Sequence, residues 1–115
     1  MEATHGTWGN RIKTFQWDGG LVTILYLEPN QRCSWHVHKA QYNQFFCIEG
    51  KVGIKTDKGH ITWLGPKHVF TVEPGVQHEF RTDEEGALIQ EVAYVKYDEN
   101  DIDRKLIGGP MGYAG

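Results

Sequence analysis

Residues 35–50 read WHVHKAQYNQFFCIEG and contain two histidines separated by one valine. Alternate side chains of a β-strand lie on the same face, so His36 and His38 can direct two imidazoles at one ion if this segment is extended. Strand-like segments lie on both sides of the pair, at residues 21–28 and 45–48, and each ends at turn-forming residues. The spacing therefore predicts half of a metal site on a strand within a sheet.

A third histidine, His78, is the best distant candidate to complete this site. It follows the turn-forming pair Pro74-Gly75 and begins a short apolar run. If that run is a strand of the same sheet, one sheet face can gather all three imidazoles. The remaining central histidines are predicted to lie away from the site, with His60 exposed at a hairpin and His68 packed or at the rim.

The composition indicates one globular domain with much β structure. The chain has 115 residues, including 14 glycines and 12% aromatic residues, and its net charge is -3. Without a block of lysines or arginines, nucleic acid is not expected as a partner. No apolar run approaches the roughly 20 residues of a membrane helix, and the N-terminus lacks the apolar core of a secretory signal. A cytoplasmic protein that does not contact membranes is therefore expected.

Short strands at regular spacing are predicted along the rest of the chain. They cover residues 12–17, 21–27, 43–48, 52–56, 60–64, 68–72, 78–82 and 87–97. Asp18-Gly19-Gly20 joins the first two as a hairpin, and Asp57-Lys58-Gly59 joins the fourth and fifth, because glycine accepts the backbone conformations that tight turns need. This arrangement predicts an all-β antiparallel sandwich or small barrel.

The domain boundaries follow from the same pattern. Residues 1–10 are polar and are predicted to be an N-terminal tail, and residues 11–97 are predicted to form the β domain. Residues 98–115 are predicted to form a C-terminal tail with room for one helical turn at 98–104.

The predicted strand at residues 43–48 has apolar side chains on both faces. Phe45 and Cys47 lie on one face, and Phe46 and Ile48 lie on the other. Both faces must therefore be covered, either by a second sheet or by another subunit. A homodimer is expected on this ground.

The order of these signals resembles the cupins, a family of small jelly-roll barrels. The resemblance is carried by His36 and His38 ahead of Gly50, followed by Pro74-Gly75 and His78. It spans nearly the whole chain. It implies the double-stranded β-helix (jelly-roll) fold and a metal held by the motif histidines.

Within the cupins the chain is most similar to the type II mannose-6-phosphate isomerase group. This module is also found fused to mannose-1-phosphate guanylyltransferases. The similar features are Thr7-Trp8-Gly9 near the start and the acidic segment at residues 98–104. The resemblance implies a metal-dependent isomerase acting on a carbohydrate.

Two positions depart from that group. Asn43 lies five residues beyond His38, where the family usually carries a metal-binding glutamate. Gln41 lies where the sugar-phosphate isomerases of the group place an arginine. Without that bidentate partner for a phosphate, little or no mannose-6-phosphate isomerase activity is expected, and an unphosphorylated or differently charged metabolite is the predicted substrate.

The candidate site combines ligands to a metal with contacts to a small molecule. The predicted metal-binding residues are His36, His38, His78 and Asn43. The predicted substrate-binding residues are Lys39, Gln41, Tyr42 and Arg81. No catalytic residue is identified from the sequence, since Glu79 alternates away from His78 and Glu49 lies at a turn.

Three imidazoles and an amide suit a divalent transition metal such as Zn, Ni, Fe or Mn better than a hard ion such as Mg or Ca. Three function classes remain open. The first is a metal-dependent isomerase, epimerase or lyase acting on a small polar or carbohydrate-like metabolite. The second is a three-histidine non-haem iron dioxygenase. The third is a cupin that binds a small ligand without turnover.

Overall fold

The computed structural model of the chain describes residues 2–6, 8–57, 59–95 and 111. These residues form nine strands and no helix, so they include none that could span a membrane. The strands are β1 Glu2–Gly6, β2 Gly9–Trp17, β3 Gly20–Leu27, β4 Tyr42–Gly50, β5 Val52–Thr56, β6 Ile61–Leu64, β7 Val69–Val72, β8 His78–Arg81 and β9 Ala87–Tyr94. The prediction of an all-β antiparallel fold is confirmed.

The strands form two antiparallel sheets. The larger sheet has the order β1-β2-β3-β9-β4-β7, and the smaller sheet has the order β6-β5-β8. The long connection between β3 and β4 runs beside β8 and pairs with it through the isolated bridges Arg32↔Arg81 and His36↔His78. This connection brings the histidine pair to the open edge of the smaller sheet.

The core lies between the two sheets. Its buried apolar side chains come from both, and they are Leu25, Leu27, Phe45, Cys47, Val52, Ile54, Leu64, Val72, Phe80 and Ile89. Phe45 and Cys47 share one face of β4, as its alternation predicted, and that face is the fully buried inner one. The burial of these ten side chains is the principal favourable term for folding.

Both predicted hairpins form. β2 and β3 pair from Gly9↔Leu27 to Trp17↔Gly20, and β5 pairs with β6 from Val52↔Leu64 to Lys55↔Ile61. The glycine that ends β4 is required by its surroundings. Gly50 has a φ of 78°, and a Cβ there would collide with the carbonyl oxygen of Gly86.

One sequence-based expectation differs from the structure at the beginning of the chain, and another, near its end, is not tested. Residues 1–10 were expected to be a tail, but β1 and the start of β2 lie within them, paired from Glu2↔Lys13 to Gly6↔Gly9. An edge strand is held by backbone hydrogen bonds on one side, so it needs no apolar alternation to form. The helical turn expected at residues 98–104 lies outside the described residues.

The outer face of the larger sheet is uncharged across its centre and mostly apolar. Direct cross-strand partners there form two rows, Val22–Val92–Gln44–Thr71 and Ile24–Gln90–Phe46–Val69. Val69 is 49% exposed and Ile48 is 36% exposed. A patch without net charge can face a copy of itself without repulsion, as a two-fold dimer requires. We propose that a second copy of the chain covers this face.

The dimer proposal predicts a mass of twice 13.1 kDa by light scattering at micromolar concentration. Val69→Glu should shift the protein to the monomer, because it places a like charge on both sides of the contact. Val95→Glu is the matched control, since Val95 is 53% exposed but follows β9 at the end of the sheet. A wild-type protein that scatters as a monomer contradicts the proposal.

Candidate metal centre and adjoining cavity

The predicted strand for the histidine pair is not a regular strand. His36 and His38 lie in the extended connection before β4, and the register along β8 shifts by one residue between its two bridges. The extra residue lies near Ser34 and Trp35, so the ladder is broken there as in a β-bulge. The two imidazoles nevertheless lie close together, as their spacing in the sequence predicted, because the centroids of the His36 and His38 rings are 4.9 Å apart.

The turn at Pro74-Gly75 positions the third histidine. The Gly75 N–H donates to the carbonyl of His38 at 2.8 Å, which fixes the turn against the histidine segment. His36 and His78 then exchange two backbone hydrogen bonds, of 3.1 and 2.8 Å. A local turn signal and one bridge therefore bring together residues that are far apart in sequence.

The three imidazoles converge. One nitrogen from each of His36, His38 and His78 can be chosen so that all lie within 4.8 Å of one another, a spacing that could hold a metal ion. His36 Nδ1 lies 2.7 Å from the carbonyl of Ser34, and His78 Nδ1 lies 3.0 Å from the carbonyl of Val76. Each Nδ1–H can donate to its carbonyl, which leaves each Nε2 with a free lone pair.

The unsatisfied atoms and the protonation of these histidines fit a divalent ion. His78 is 1% exposed, and its Nε2 is buried without a hydrogen-bond partner. Burial lowers the pKa of His78, and burial together with neighbouring His36 lowers the pKa of His38, so neutral imidazoles are favoured. Neutral imidazole is the form that binds a metal, and an ion would satisfy the orphaned nitrogen. The donor set leaves open which transition metal binds.

A cavity of about 360 Å³ adjoins the histidines inside the barrel. Its polar lining residues are Arg11, Thr23, Ser34, His36, His38, Gln41, Asn43 and Glu91, and its apolar lining includes Trp8, Phe45 and Phe80. This volume lies in the range of small-molecule sites. The predicted residues His36, His38, Gln41 and Asn43 are therefore brought together at one cavity.

Asn43 is held by a carboxylate that the sequence did not identify. Its Nδ2 donates to Glu91 Oε2 at 2.8 Å, and its Oδ1 lies 3.5 Å from Gln41 Nε2. Binding of a metal by Asn43 stays a prediction, whereas its hydrogen bond to Glu91 is a feature of the structure. Asn43 therefore helps to position the Glu91 carboxylate on β9, the neighbouring strand of the sheet.

Glu91 was missed because polarity in β9 does not follow the usual pattern of apolar residues inside and polar residues outside. Glu91 points inward between Ile89 and Ala93, while Val92 points outward. Burial raises the pKa of the Glu91 carboxyl, and the hydrogen bond from Asn43 opposes that rise. The one signal in the sequence is a lone acidic residue within a strand whose other side chains are uncharged.

Three of the four predicted substrate-binding residues do not reach the cavity. Lys39 is exposed beyond the histidine segment. Tyr42 stacks on Tyr94 with ring centroids 5.3 Å apart, and Arg81 binds Glu79 at 2.6 Å. Strand alternation explains the last two, because neighbouring Asn43 and Phe80 face the cavity. Gln41 alone of the four lines it.

The cysteines differ in position. Cys33 lines the cavity, and its sulfur accepts a hydrogen bond from the Phe80 N–H at 3.1 Å. Burial raises the pKa of the Cys33 thiol to about 12, so it stays protonated at neutral pH and is a poor metal ligand. Cys47 lies in the core.

No protein-family model matches the chain. Its architecture resembles that of KdgF from Halomonas sp., with a TM-score of 0.74 at 12% identity, covering 87% of this chain and 91% of that chain. It also resembles an RmlC-like cupin from Shewanella frigidimarina, with a TM-score of 0.67 at 20% identity over 84% of each chain. The chain has the cupin fold. The fold implied by the histidine and Pro-Gly motifs is thereby confirmed.

One curated relative is a sugar isomerase. This chain is 32% identical to the D-lyxose/D-mannose isomerase of Thermosediminibacter oceani, over 68% of this chain and 58% of that enzyme. The chain thus spans a little over half the length of this relative. The likeness is to a sugar isomerase, and nothing in it singles out the mannose-6-phosphate type.

Proposed function

We propose that this cupin is a metal-dependent aldose–ketose isomerase acting on a small unphosphorylated sugar. The observation that carries the proposal is the convergence of three imidazoles, two of which line a cavity that also contains the Glu91 carboxylate. The likeness to an isomerase of D-lyxose and D-mannose supports the reaction class. The cavity volume suits a molecule of this size.

The metal would be held by His36, His38 and His78. When bound, it supplies Lewis-acid polarisation of a carbonyl or hydroxyl oxygen. Imidazole binds a metal as a neutral ligand, so the full charge of the ion would remain available for this purpose. We expect a transition metal, since the three proposed ligand atoms are histidine nitrogens and hard cations prefer oxygens.

Glu91 is the proposed proton-transfer residue. Isomerisation of an aldose removes the proton from C2 and returns a proton to C1, while the hydroxyl proton of O2 moves to O1. The ketose therefore contains the same atoms as the aldose, and one base that keeps the proton suffices. Glu91 lines the cavity near His36, which acts on it electrostatically. The hydrogen bond from Asn43 occupies one carboxylate oxygen and leaves the other for substrate.

The other residues of the cavity orient and shield the substrate. Gln41 and Thr23 offer an amide and a hydroxyl for the hydroxyl groups of a sugar. Trp8 and Phe80 contact each other edge-to-face, with centroids 5.6 Å apart, and provide an apolar wall. Such a wall excludes water from the reacting carbons, and sugars present C–H faces that pack against aromatic rings.

The assay follows ketose formation by metal-loaded protein. We expect D-lyxose to give D-xylulose and D-mannose to give D-fructose, with the activity lost after chelation and restored by Zn, Ni, Fe or Mn. The control is the same protein with chelator and no added metal. If metal-replete protein forms no ketose from any of a panel of pentoses and hexoses, the isomerase proposal is wrong. Saturable sugar binding without product would then favour a binding cupin.

A further inference from the structure

One charged side chain in the cavity has no role in the proposed proton transfer. Arg11 lies on β2, directly opposite Leu25 on β3. Cross-strand partners share a sheet face, and Leu25 is 2% exposed in the core, so Arg11 points inward. It lines the same cavity as the histidine pair and Glu91.

One nitrogen of the Arg11 guanidinium is not satisfied by the protein. Its Nε is buried without a hydrogen-bond partner. Arg11 is close enough to lower the pKa of Glu91, yet no ion pair joins the two side chains in the described part of the chain. A buried charged donor left without an acceptor is costly, and such groups in a cavity are typical of ligand-binding sites.

We propose that Arg11 binds a carboxylate of the substrate, so that the preferred ligand is a small polyhydroxy acid rather than a neutral sugar. This rests on the proposed function for the assignment of a sugar-like ligand. A guanidinium presents parallel N–H groups that match the two oxygens of a carboxylate, whereas a single hydroxyl leaves one donor unpaired. A carboxylate would therefore satisfy the buried Nε and another guanidinium N–H together.

The charged side chains of the cavity, taken apart from the charge of the bound ion, favour a monoanion over a phosphate dianion. Among its lining residues, Arg11 is the one permanent cation, and Glu91 is an acid on a neighbouring wall. A dianion would gain one bidentate contact but would also face the Glu91 carboxylate at short range. A carboxylate carries half the charge of a phosphate dianion and can form the same bidentate pair with the Arg11 guanidinium. Weak binding of sugar phosphates is thus expected.

The experiment compares two ligands that differ only at C6. D-mannuronate and D-mannose are titrated by calorimetry into Zn²⁺-loaded protein, with mannose 6-phosphate as a third ligand. We expect D-mannuronate to bind at least about ten-fold more tightly than D-mannose, the gain of a charge-assisted pair. Arg11→Gln should remove this preference, and Arg11→Lys, which keeps the charge but loses the fork, should retain part of it.

Arg32→Gln is the matched control, because Arg32 is exposed and does not line this cavity. It should leave the preference unchanged. Equal affinity for both sugars, no saturable binding of D-mannuronate, or a preference that survives in Arg11→Gln overturns the inference, as does tighter binding of mannose 6-phosphate. If Arg11→Gln does not fold, the test uses Arg11→Lys, and a full preference for D-mannuronate in that variant overturns the inference. The result is an affinity and not a rate of product formation, so absence of isomerase activity does not affect it.

Discussion

His38→Ala should lose the bound metal ion. Removing one of three imidazoles leaves two ligands, and the affinity is expected to fall by more than about 100-fold, beyond the effect of losing a supporting hydrogen bond. Metal content per chain is measured by elemental analysis after dialysis. The wild type should retain about one equivalent, and His36→Ala and His78→Ala should behave like His38→Ala.

His68→Ala is the control for this loss. His68 is exposed, and its ring accepts a hydrogen bond from the Gly65 N–H at 3.0 Å, away from the three imidazoles. It should keep its full equivalent of metal. If all three variants at the proposed ligands also keep a full equivalent, the ion is not bound there and the metal centre must be abandoned.

Glu91→Gln should lower kcat for aldose isomerisation by about 10²- to 10⁴-fold, the usual contribution of a positioned base. Glutamine has nearly the same shape and keeps a carbonyl oxygen for Asn43 Nδ2, but it cannot take a proton from carbon. Metal content should be unchanged, which separates this loss from loss of the ion. The assay is ketose formation from D-mannose or D-lyxose by metal-loaded protein.

The matched control is Glu49→Gln. Glu49 is exposed near the end of β4 and lies outside the cavity, so its neutralisation should leave kcat unchanged. A Glu91→Gln protein that isomerises within two-fold of the wild type would show that the proton is carried by another group. The role of the Asn43–Glu91 hydrogen bond would then be structural.

Local signals in the sequence predicted much of the fold. Glycines at Asp18-Gly19-Gly20 and at Gly50 mark chain reversals whose backbone geometry is set within a few residues. The period of two in residues 43–48 determined which side chains of β4 share a face, because that period is a property of any strand. The same rule put His36 and His38 on one side of the chain, although the ladder around them is irregular.

Alternation also contained information that the substrate predictions did not use. Tyr42 adjoins Asn43 on β4, and Arg81 adjoins Phe80 on β8. Neighbours along a strand face opposite sides, so an inward Asn43 already places Tyr42 outside the barrel. Proximity in sequence to a metal motif was a poor guide to proximity in space.

The tertiary structure alone decided which residues complete the cavity. Short-range periodicity and turn residues predicted an antiparallel all-β fold with His36 and His38 on one side of the chain, and the resemblance to the cupins implied the jelly-roll and the role of His78. Glu91 and Arg11 enter the site only because β9 lies between β3 and β4, and because β2 pairs beyond β3. The order of these strands is set by pairing between distant parts of the chain, which no local pattern encodes. A polar side chain on an inner face also interrupts the apolar alternation by which that face would be recognised.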